Sequence, residues 1–438
     1  MDIDGFVEVA HLQVDPDAVL VYAEGWQSWS PTSLYRWRDP QPRPVDARQE
    51  ALGYRVGRPP PTSGWQAEGL LAVQPAVGAA VVVISAESPV EVPSVRAVPD
   101  GNTLRVLADG PVVVDAAESP DGIEGALRRW GTGFRQRFAA PADIPPAPTV
   151  WCTWYRYYLQ VTADHVRANL DHMSELALPI DVVQIDDGYQ RGLGDWLDFD
   201  PGFGDLPRLV ADIRGAGRRA GIWLAPFLVG DESRLAEEHP EWLRHDVSAG
   251  SNWNQNLRVL DVAQPAAADY LSRVVGELSG LGIDYFKLDF LYAGALPGAG
   301  RSDSAALESY REGLRLVREA AGPDAFIVGC GAPTVASVGL VDAMRISPDI
   351  ATHVDPAGGD LSAPALRSAL FSGKGRAWQN RTLWWADPDC LIARSEMPER
   401  EAWAAWVTSV AGLRSISDDL GELDEAGLAL IRGYLSDL

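Results

Sequence analysis

Cysteine and basic charge are scarce in this sequence, and each shortage excludes a class of protein. Cysteine occurs 3 times in 438 residues, at Cys152, Cys330 and Cys390, without the spacing of a zinc site or the density of a disulfide framework. The 37 lysines and arginines are outnumbered by 61 aspartates and glutamates, which gives a net charge of −24. This charge repels a phosphate backbone or an anionic lipid surface, so neither nucleic acid nor a membrane is an expected partner.

Long hydrophobic runs and metal-binding patterns are missing as well. No apolar stretch reaches the roughly 18 residues of a membrane-spanning helix, and the N-terminus carries acids where a secretory signal carries bases. The 6 histidines form no H-E-x-x-H pattern, and no G-x-S-x-G elbow or glycine-rich nucleotide motif is found. We therefore expect a cytoplasmic protein with no metal and no cofactor. The oligomeric state stays open.

Tryptophan, in contrast, is abundant. Its 16 copies exceed those of tyrosine (12), phenylalanine (10) and methionine (4). Leucine and valine fill a core more readily, whereas the flat face of an indole suits the C–H surface of a sugar ring. The composition is therefore compatible with a carbohydrate as the small-molecule partner.

The first 120 residues have the pattern of an antiparallel β domain. Short β-branched runs, for example 19–22, 80–84 and 111–114, are separated by turn residues. The prolines between positions 40 and 61 cannot donate to a central ladder and are expected in loops or at edges. We predict a β-sandwich over 1–120, followed over 121–148 by a linker that contains a helix (123–138) and a proline-rich segment.

Residues 149–438 alternate short apolar runs with amphipathic helices, as in a (β/α)₈ barrel. Helices are predicted over 164–176, 266–281 and 305–321. Strands are predicted at 149–154, 181–186, 221–226, 284–290, 325–330 and 341–346, with weaker candidates at 376–380 and 413–417. A doubly wound sheet is the alternative, although no nucleotide-binding motif supports it. We predict a catalytic barrel over 149–438.

Acidic residues follow several predicted strands, where the active site of a barrel lies. Asp186 and Asp187 end the second strand, although either could instead cap a turn. In the fourth strand Lys287 and Asp289 share one face, and a neighbouring cation favours the ionised aspartate that a nucleophile requires. A buried structural ion pair is the alternative explanation.

A further acid, Asp349, follows the sixth strand and the strand-breaking Pro348, and could also be a simple turn residue. Two carboxylates at neighbouring strand ends suit glycoside hydrolysis, and a separation of about 5 to 5.5 Å implies retention of configuration. Aromatic residues cluster at the same places, although each alone could belong to the core. They include Trp26, Trp29, Trp151, Trp154, Tyr155 and Trp223.

These motifs occur in the order found in glycoside hydrolase family 36, the melibiase-type α-galactosidases, and the whole chain resembles the shorter bacterial members. The matching segments are Gly25-Trp26-Gln27-Ser28-Trp29, Trp151-Cys152-Thr153-Trp154-Tyr155, Gln184-Ile185-Asp186-Asp187-Gly188, Gly194-Asp195-Trp196, Gly221-Ile222-Trp223-Leu224-Ala225-Pro226-Phe227, Phe286-Lys287-Leu288-Asp289-Phe290, Gly329-Cys330-Gly331-Ala332-Pro333, Arg345-Ile346-Ser347-Pro348-Asp349, Asp387-Pro388-Asp389-Cys390 and Ser417-Asp418-Asp419-Leu420.

The resemblance implies a β-supersandwich followed by a barrel, and a retaining double displacement on terminal α-linked galactose of melibiose- or raffinose-type sugars, without a cofactor. By the same resemblance Asp289 is the nucleophile and Asp349 the acid/base. Asp186 and Asp187 hold the 4- and 6-hydroxyls of galactose. The resemblance implies further substrate contacts from Lys287, Arg345, Trp154, Tyr155, Trp223, Cys330 and Trp29.

The sequence departs from the family at two places. The chain stops at Leu438, so the family's C-terminal β domain is expected to be absent, and His353 lies in a loop where an aromatic residue is expected. The same machinery also serves α-N-acetylgalactosaminidases and α-galactosyl transglycosylases, which stay alternatives. A different class, a non-catalytic sugar-binding protein, requires loss of a catalytic acid, whereas both Asp289 and Asp349 stand in intact motifs. A metal-dependent hydrolase needs histidines at strand ends, which the predicted strands lack.

Overall fold

The computed structural model describes residues 5–139 and 144–436, so part of the predicted linker (140–143) lies outside the described residues. Residues 5–120 contain nine strands and one short helix, α1 (Ala47–Gly53). The strands are β1 (Val7–Gln13), β2 (Leu20–Ala23), β3 (Ser33–Arg36), β4 (Trp65–Glu68), β5 (Leu70–Gln74), β6 (Val81–Ala86), β7 (Ser94–Asp100), β8 (Thr103–Ala108) and β9 (Val112–Ala117).

These strands form two antiparallel sheets, with the orders β1-β8-β7-β4 and β3-β2-β5-β6-β9. Alternation along β5 and β6 divides their side chains between two cores. Leu71 and Ile84 belong to the core of the β domain, whereas Leu70 and Val83 pack in the core shared with the rest of the molecule. Helix α2 (Gly122–Phe138) covers that second face, which explains why both faces of this sheet are apolar.

Eight parallel strands then form the barrel. The first three are β10 (Thr149–Cys152), β11 (Val182–Ile185) and β12 (Arg219–Leu224). After a small antiparallel insertion, β13 (Leu228–Gly230), β14 (Leu243–Arg244), β15 (Ser251–Asn252) and β16 (Gln255–Leu260), the barrel continues with β17 (Ile283–Leu288), β18 (Phe326–Gly329), β19 (Ala343–Arg345), β20 (Trp385–Asp387) and β21 (Arg414–Ile416). The order is β20-β19-β18-β17-β12-β11-β10-β21, and the Leu413 amide donates to the Ala386 carbonyl (3.0 Å) where the ring closes.

Helices lie between the barrel strands. The described helices after α2 are α3 (Trp154–Tyr157), α4 (Ala163–Glu175), α5 (Leu206–Gly215), α6 (Arg234–Glu238), α7 (Pro265–Gly280), α8 (Asp303–Ala321), α9 (Leu366–Arg376), α10 (Arg400–Val410) and α11 (Glu425–Ser436). Of these, α4, α7 and α8 begin and end within two residues of the predicted bounds. The predicted β-sandwich followed by a (β/α)₈ barrel is confirmed. Within the described residues α11 follows β21, and no further strand does.

The predicted seventh strand, 376–380, is wrong. Arg376 ends α9, residues 377–379 form a 3₁₀ turn, and the strand is β20, a few residues later. The apolar character of this stretch has another cause, since Trp378 and Arg376 are both buried against the N-terminal sheets. A three-residue strand is too short to produce a readable alternation.

The two parts of the molecule are joined by a buried ion pair. The Arg376 Nε donates to Glu24 Oε1 (2.6 Å), although the two residues are 352 positions apart in the sequence. The other guanidinium nitrogens donate to the carbonyls of Gln27, Ser28 and Ile346. The loop over Gly25–Ser30 is therefore held against the residues that follow the sixth barrel strand. We call the Glu24–Arg376 pair and its partners the joint.

Candidate active site

Alternation along β17 delivers a lysine and an aspartate to the mouth of the barrel. Tyr285 packs with Val150 and Val182 in a cluster built from the barrel strands, and Lys287 lies two residues further along the same face. Its ammonium donates to Asp186 Oδ2 (3.0 Å) and lies 3.7 Å from Asp289 Oδ2. Burial alone lowers the pKa of Lys287, but these two carboxylates raise it well above its usual value. The lysine is therefore a fixed positive charge between two acids.

Asp289 lies directly after β17 and is buried. Its Oδ2 accepts a hydrogen bond from the indole of Trp223 (3.0 Å), and its Oδ1 accepts one from the amide of Phe290 (2.9 Å). Phe290 has φ +52°, so the chain turns sharply immediately after the aspartate. Both oxygens are thus held in one orientation, which is the preparation that a nucleophile at a strand end requires.

Asp186 and Asp187 differ in how their oxygens are used. Both oxygens of Asp186 are bonded, because Oδ2 accepts from Lys287 and from Gln184 (2.6 Å) while Oδ1 accepts a single bond, from the amide of Asp187 (3.0 Å). Asp187 accepts a bond from the Gln190 side chain (2.5 Å), the Trp253 indole lies near enough to lower its pKa, and its buried Oδ2 has no partner within hydrogen-bond distance. Burial raises the pKa of Asp187 to about 6, and the charge of Asp186 acts in the same direction. Asp187 is therefore the acceptor left open for a ligand.

Asp349 belongs to a cluster of three carboxylates around the buried Arg345. The guanidinium contacts Asp349 (2.5 Å), Asp387 (3.1 Å) and Asp389 (3.0 Å). The other two acids are buried, whereas the Asp349 side chain keeps 30% of its surface exposed. Desolvation raises the pKa of Asp349 to about 7, against the opposing charge of Arg345 and with a further increase from Asp389. This carboxyl group therefore exchanges its proton near neutral pH.

Three of the predicted lining residues, Trp223, Tyr155 and Cys330, lie beside these acids. Trp223 contacts Asp289, as described. Tyr155 is buried, and its hydroxyl donates to Asp389. Cys330 follows β18, and burial raises the pKa of its thiol, with a further increase from the charge of Asp289. Trp154 lies further out, half-buried, with its ring edge-on to Tyr158.

Trp29 enters the site from the N-terminal part, on the loop that the joint holds. Its ring meets Phe290 edge-on, with centroids 4.9 Å apart. It also covers Gly331, where φ is +56° and a Cβ would lie 2.9 Å from the indole, so only glycine fits. The ring is buried as in a core residue, and its Nε1 has no hydrogen-bond partner.

Two residues at the site were not found by sequence reasoning. Trp253 lies at the tip of the β15–β16 hairpin, with its ring 5.1 Å from Phe290 and 6.4 Å from Trp223, and its indole lowers the pKa of Asp187. Trp253 and Asn254 both have positive φ, the geometry of a two-residue hairpin turn, but they lack the usual Asn-Gly signature. Asp389 lies in a matched motif, but its bonds to Arg345 and Tyr155 depend on the folded barrel.

Neither a metal site nor a membrane-spanning helix is identified in the part of the chain that the structure describes. Across residues 5–139 and 144–436, no group of three or more histidine, cysteine or acidic side chains could hold a metal ion. No described helix is both long and apolar enough to cross a bilayer.

Several known proteins are similar to this chain in sequence or fold. Residues 109–309 match the melibiase family. A probable α-galactosidase C from Aspergillus flavus is 29% identical over 195 residues, which cover 39% of this chain and 25% of the fungal protein. The match thus spans about a quarter of that relative's length.

Among solved structures, an α-galactosidase from Thermus thermophilus in complex with p-nitrophenyl α-D-galactopyranoside has a TM-score of 0.82 and 28% identity, covering 98% of this chain and 92% of that chain. A family 36 α-galactosidase from Geobacillus stearothermophilus has a TM-score of 0.66 and 16% identity, covering 98% and 61%, and shows the common fold alone. The predicted resemblance to family 36 is confirmed by the melibiase match and the Thermus structure.

Proposed function

Because residues 109–309 match the melibiase family and the chain resembles family 36, we propose that it is a retaining exo-α-galactosidase acting on melibiose- or raffinose-type sugars. The observation that supports this best is the pair of carboxylates with opposite environments. Asp289 is oriented by Trp223 and the Phe290 amide beside the cation of Lys287, whereas the pKa of Asp349 is raised to about 7. The Thermus relative was solved with an α-galactoside and with stachyose, which supports the same substrate class.

In the first step, an oxygen of Asp289 forms a bond to the anomeric carbon as the glycosidic C–O bond breaks. The leaving oxygen takes the proton of Asp349, which a pKa near 7 leaves partly protonated at neutral pH. In the second step, Asp349 accepts a proton from water, and the water oxygen displaces Asp289 from the anomeric carbon. Two inversions give net retention.

Recognition of galactose is proposed to depend on Asp187 and Asp186, on the side of the pocket opposite the Arg345 cluster. The unpartnered Oδ2 of Asp187 can accept a hydrogen bond from a sugar hydroxyl, and this bond replaces the hydrogen bonds to water that burial removed. A sugar whose 4-hydroxyl points elsewhere leaves that oxygen unsatisfied, at a cost of about 1 to 3 kcal/mol. The proposed lining of the pocket is completed by Lys287, Arg345, Trp154, Trp223, Cys330, Tyr155 and Trp29.

The division of the chain is also proposed, with a β-sandwich over 1–120, a linker over 121–148 and a catalytic barrel from 149. A cytoplasmic location stays a prediction that cell fractionation can test. It is compatible with the three cysteines, which are buried and unpaired in the described chain.

The test compares release of p-nitrophenol from the α-galactoside, the α-glucoside, the α-N-acetylgalactosaminide and the β-galactoside. We expect activity on the α-galactoside alone, lost in Asp289→Ala but kept in the matched control Asp284→Ala, whose partly exposed side chain lies on the same strand. Proton NMR of the first product should show α-galactose. β-Galactose as the first product would contradict retention, and preference for the N-acetyl substrate would favour the alternative hydrolase.

A further inference from the structure

Two large side chains are exposed beside the barrel mouth, in a molecule that buries most of its aromatic residues. Tyr158 keeps 41% and Leu159 48% of its surface exposed, and both directly follow the short helix α3. Trp154, at the start of α3, meets the Tyr158 ring edge-on with centroids 5.1 Å apart and planes at 75°. The two rings thus form an aromatic pair with an open side.

The backbone at Tyr158 is in a conformation that side chains rarely adopt. Its φ is +47° and its ψ is −141°, a region occupied almost exclusively by glycine. A bulky residue persists there when the surrounding structure imposes it, and such outliers cluster at ligand-binding sites. Glycine would adopt this conformation without strain. The presence of tyrosine instead indicates that its ring has a role at this position.

The neighbours of this segment place it over the site. Tyr155, one residue after Trp154, donates to Asp389, which shares Arg345 with Asp349. On the other side, Leu159 lies against Gly188, directly after the aspartate pair, where an added Cβ would be 3.2 Å from the Leu159 Cα. Burial raises the pKa of Tyr158, as do Asp349 and Asp389, while Arg394 lowers it, which agrees with a location at the Asp349 side.

We propose that Tyr158 and Trp154 form a platform for the group that leaves galactose, a pyranose or aryl ring, and so determine which α-galactosides are preferred. This inference rests on the proposed function. An aromatic face matches the C–H face of a sugar ring, and the partly exposed Tyr158 lies on the side of Asp349, the acid that must reach the leaving oxygen. Galactose itself does not require this platform.

The experiment compares two substrates that share galactose and differ in the leaving group, raffinose and α-galactosyl fluoride. In Tyr158→Gly we expect the ratio of KM for raffinose to KM for the fluoride to rise roughly 5- to 10-fold over wild type. Tyr158→Phe retains the ring and should keep the wild-type ratio. Ala177→Gly relieves a positive φ (+50°) at the opposite end of the barrel and is the matched control for strain.

The outcomes separate the two proposals. An unchanged KM ratio in Tyr158→Gly, or an equal rise in Tyr158→Phe, would overturn the platform. A wild-type protein that is folded but inactive on both substrates would instead contradict the proposed function. If the glycine variant does not fold, Tyr158→Leu, which keeps a side chain at this position but removes the ring, replaces it with the same expected ratio.

Discussion

The joint and the pocket both contain a fully buried arginine, but they use it in opposite ways. In the joint each nitrogen of Arg376 donates to a protein acceptor, and both oxygens of Glu24 are bonded, to Arg376 and Thr32 on one side and to Tyr22 and Gln379 on the other. In the pocket Arg345 faces three carboxylates, one of which, Asp349, stays partly exposed with its pKa raised to about 7.

A structural charge cluster can thus be distinguished from a functional one by how completely its groups are paired and buried. A closed network gives stability, since removal of any member leaves a buried group unpaired. The pocket, in contrast, contains Asp349, a partly exposed carboxyl group whose pKa is raised to about 7, and on its opposite side the buried Asp187 Oδ2, which has no hydrogen-bond partner. Substitutions in the pocket should therefore change activity more than stability, and substitutions in the joint should do the reverse.

The largest effect is expected in the pocket. Asp289→Asn removes the proposed nucleophile but keeps acceptor and shape, so kcat should fall at least about 10³-fold. The free energy of unfolding should fall by about 1 to 3 kcal/mol, because the asparagine amide oxygen can keep only one of the two bonds from Trp223 and Phe290. Urea denaturation beside p-nitrophenyl galactoside kinetics measures both, and a parallel loss of folding and activity would break the comparison.

The next largest effect is expected in the joint. Glu24→Ala leaves the buried Arg376 without its carboxylate, and we expect a loss of about 3 to 5 kcal/mol in unfolding free energy. The surviving folded fraction should keep near-normal KM. The double variant Glu24→Leu/Arg376→Met should recover much of this stability, since both charges are then absent. Recovery of stability without recovery of kcat would show that the joint also positions the Trp29 loop.

A smaller effect is expected at Asp187. Asp187→Asn replaces the acceptor whose Oδ2 has no partner, so kcat/KM on the α-galactoside should fall by about 10- to 100-fold. Unfolding free energy should stay level or increase, because a buried carboxylate becomes neutral. Asp212→Asn on the barrel surface is the control. A clear loss of stability at Asp187 would assign it to a closed, structural network.

The smallest effect is a pH dependence. The pKa of Asp349 is raised from 3.8 to about 7, so the folded chain holds a proton between these values that the unfolded chain has released. Stability from this group therefore falls as pH rises through that range, and kcat/KM should decline above about pH 7 as the acid deprotonates. Urea unfolding at pH 5 and pH 8 should show a smaller difference in Asp349→Asn. An identical difference in both proteins would assign the titration to another group.

Features that depend on neighbouring residues could be predicted from the sequence, whereas contacts between residues far apart in the sequence could not. Alternation along one strand was sufficient to place Lys287 and Asp289 together, and Pro348 correctly marked the loop that carries Asp349. The joint could not be found in this way, because Glu24 and Arg376 meet across 352 positions, and the stretch around Arg376 was predicted as a strand. Trp253 was missed because its hairpin turn uses positive φ without glycine.

The joint also bears on how this protein could be recombined with others. A barrel separated at residue 148 would keep the contact of Arg376 with Ile346 but would lose the acceptors that Glu24, Gln27 and Ser28 supply to the same guanidinium. The ring of Trp29 would leave Gly331 and Phe290 uncovered at the same time. The segments needed to keep the pocket intact are therefore discontinuous in the sequence. A chimera must transfer residues 22–32 together with the barrel.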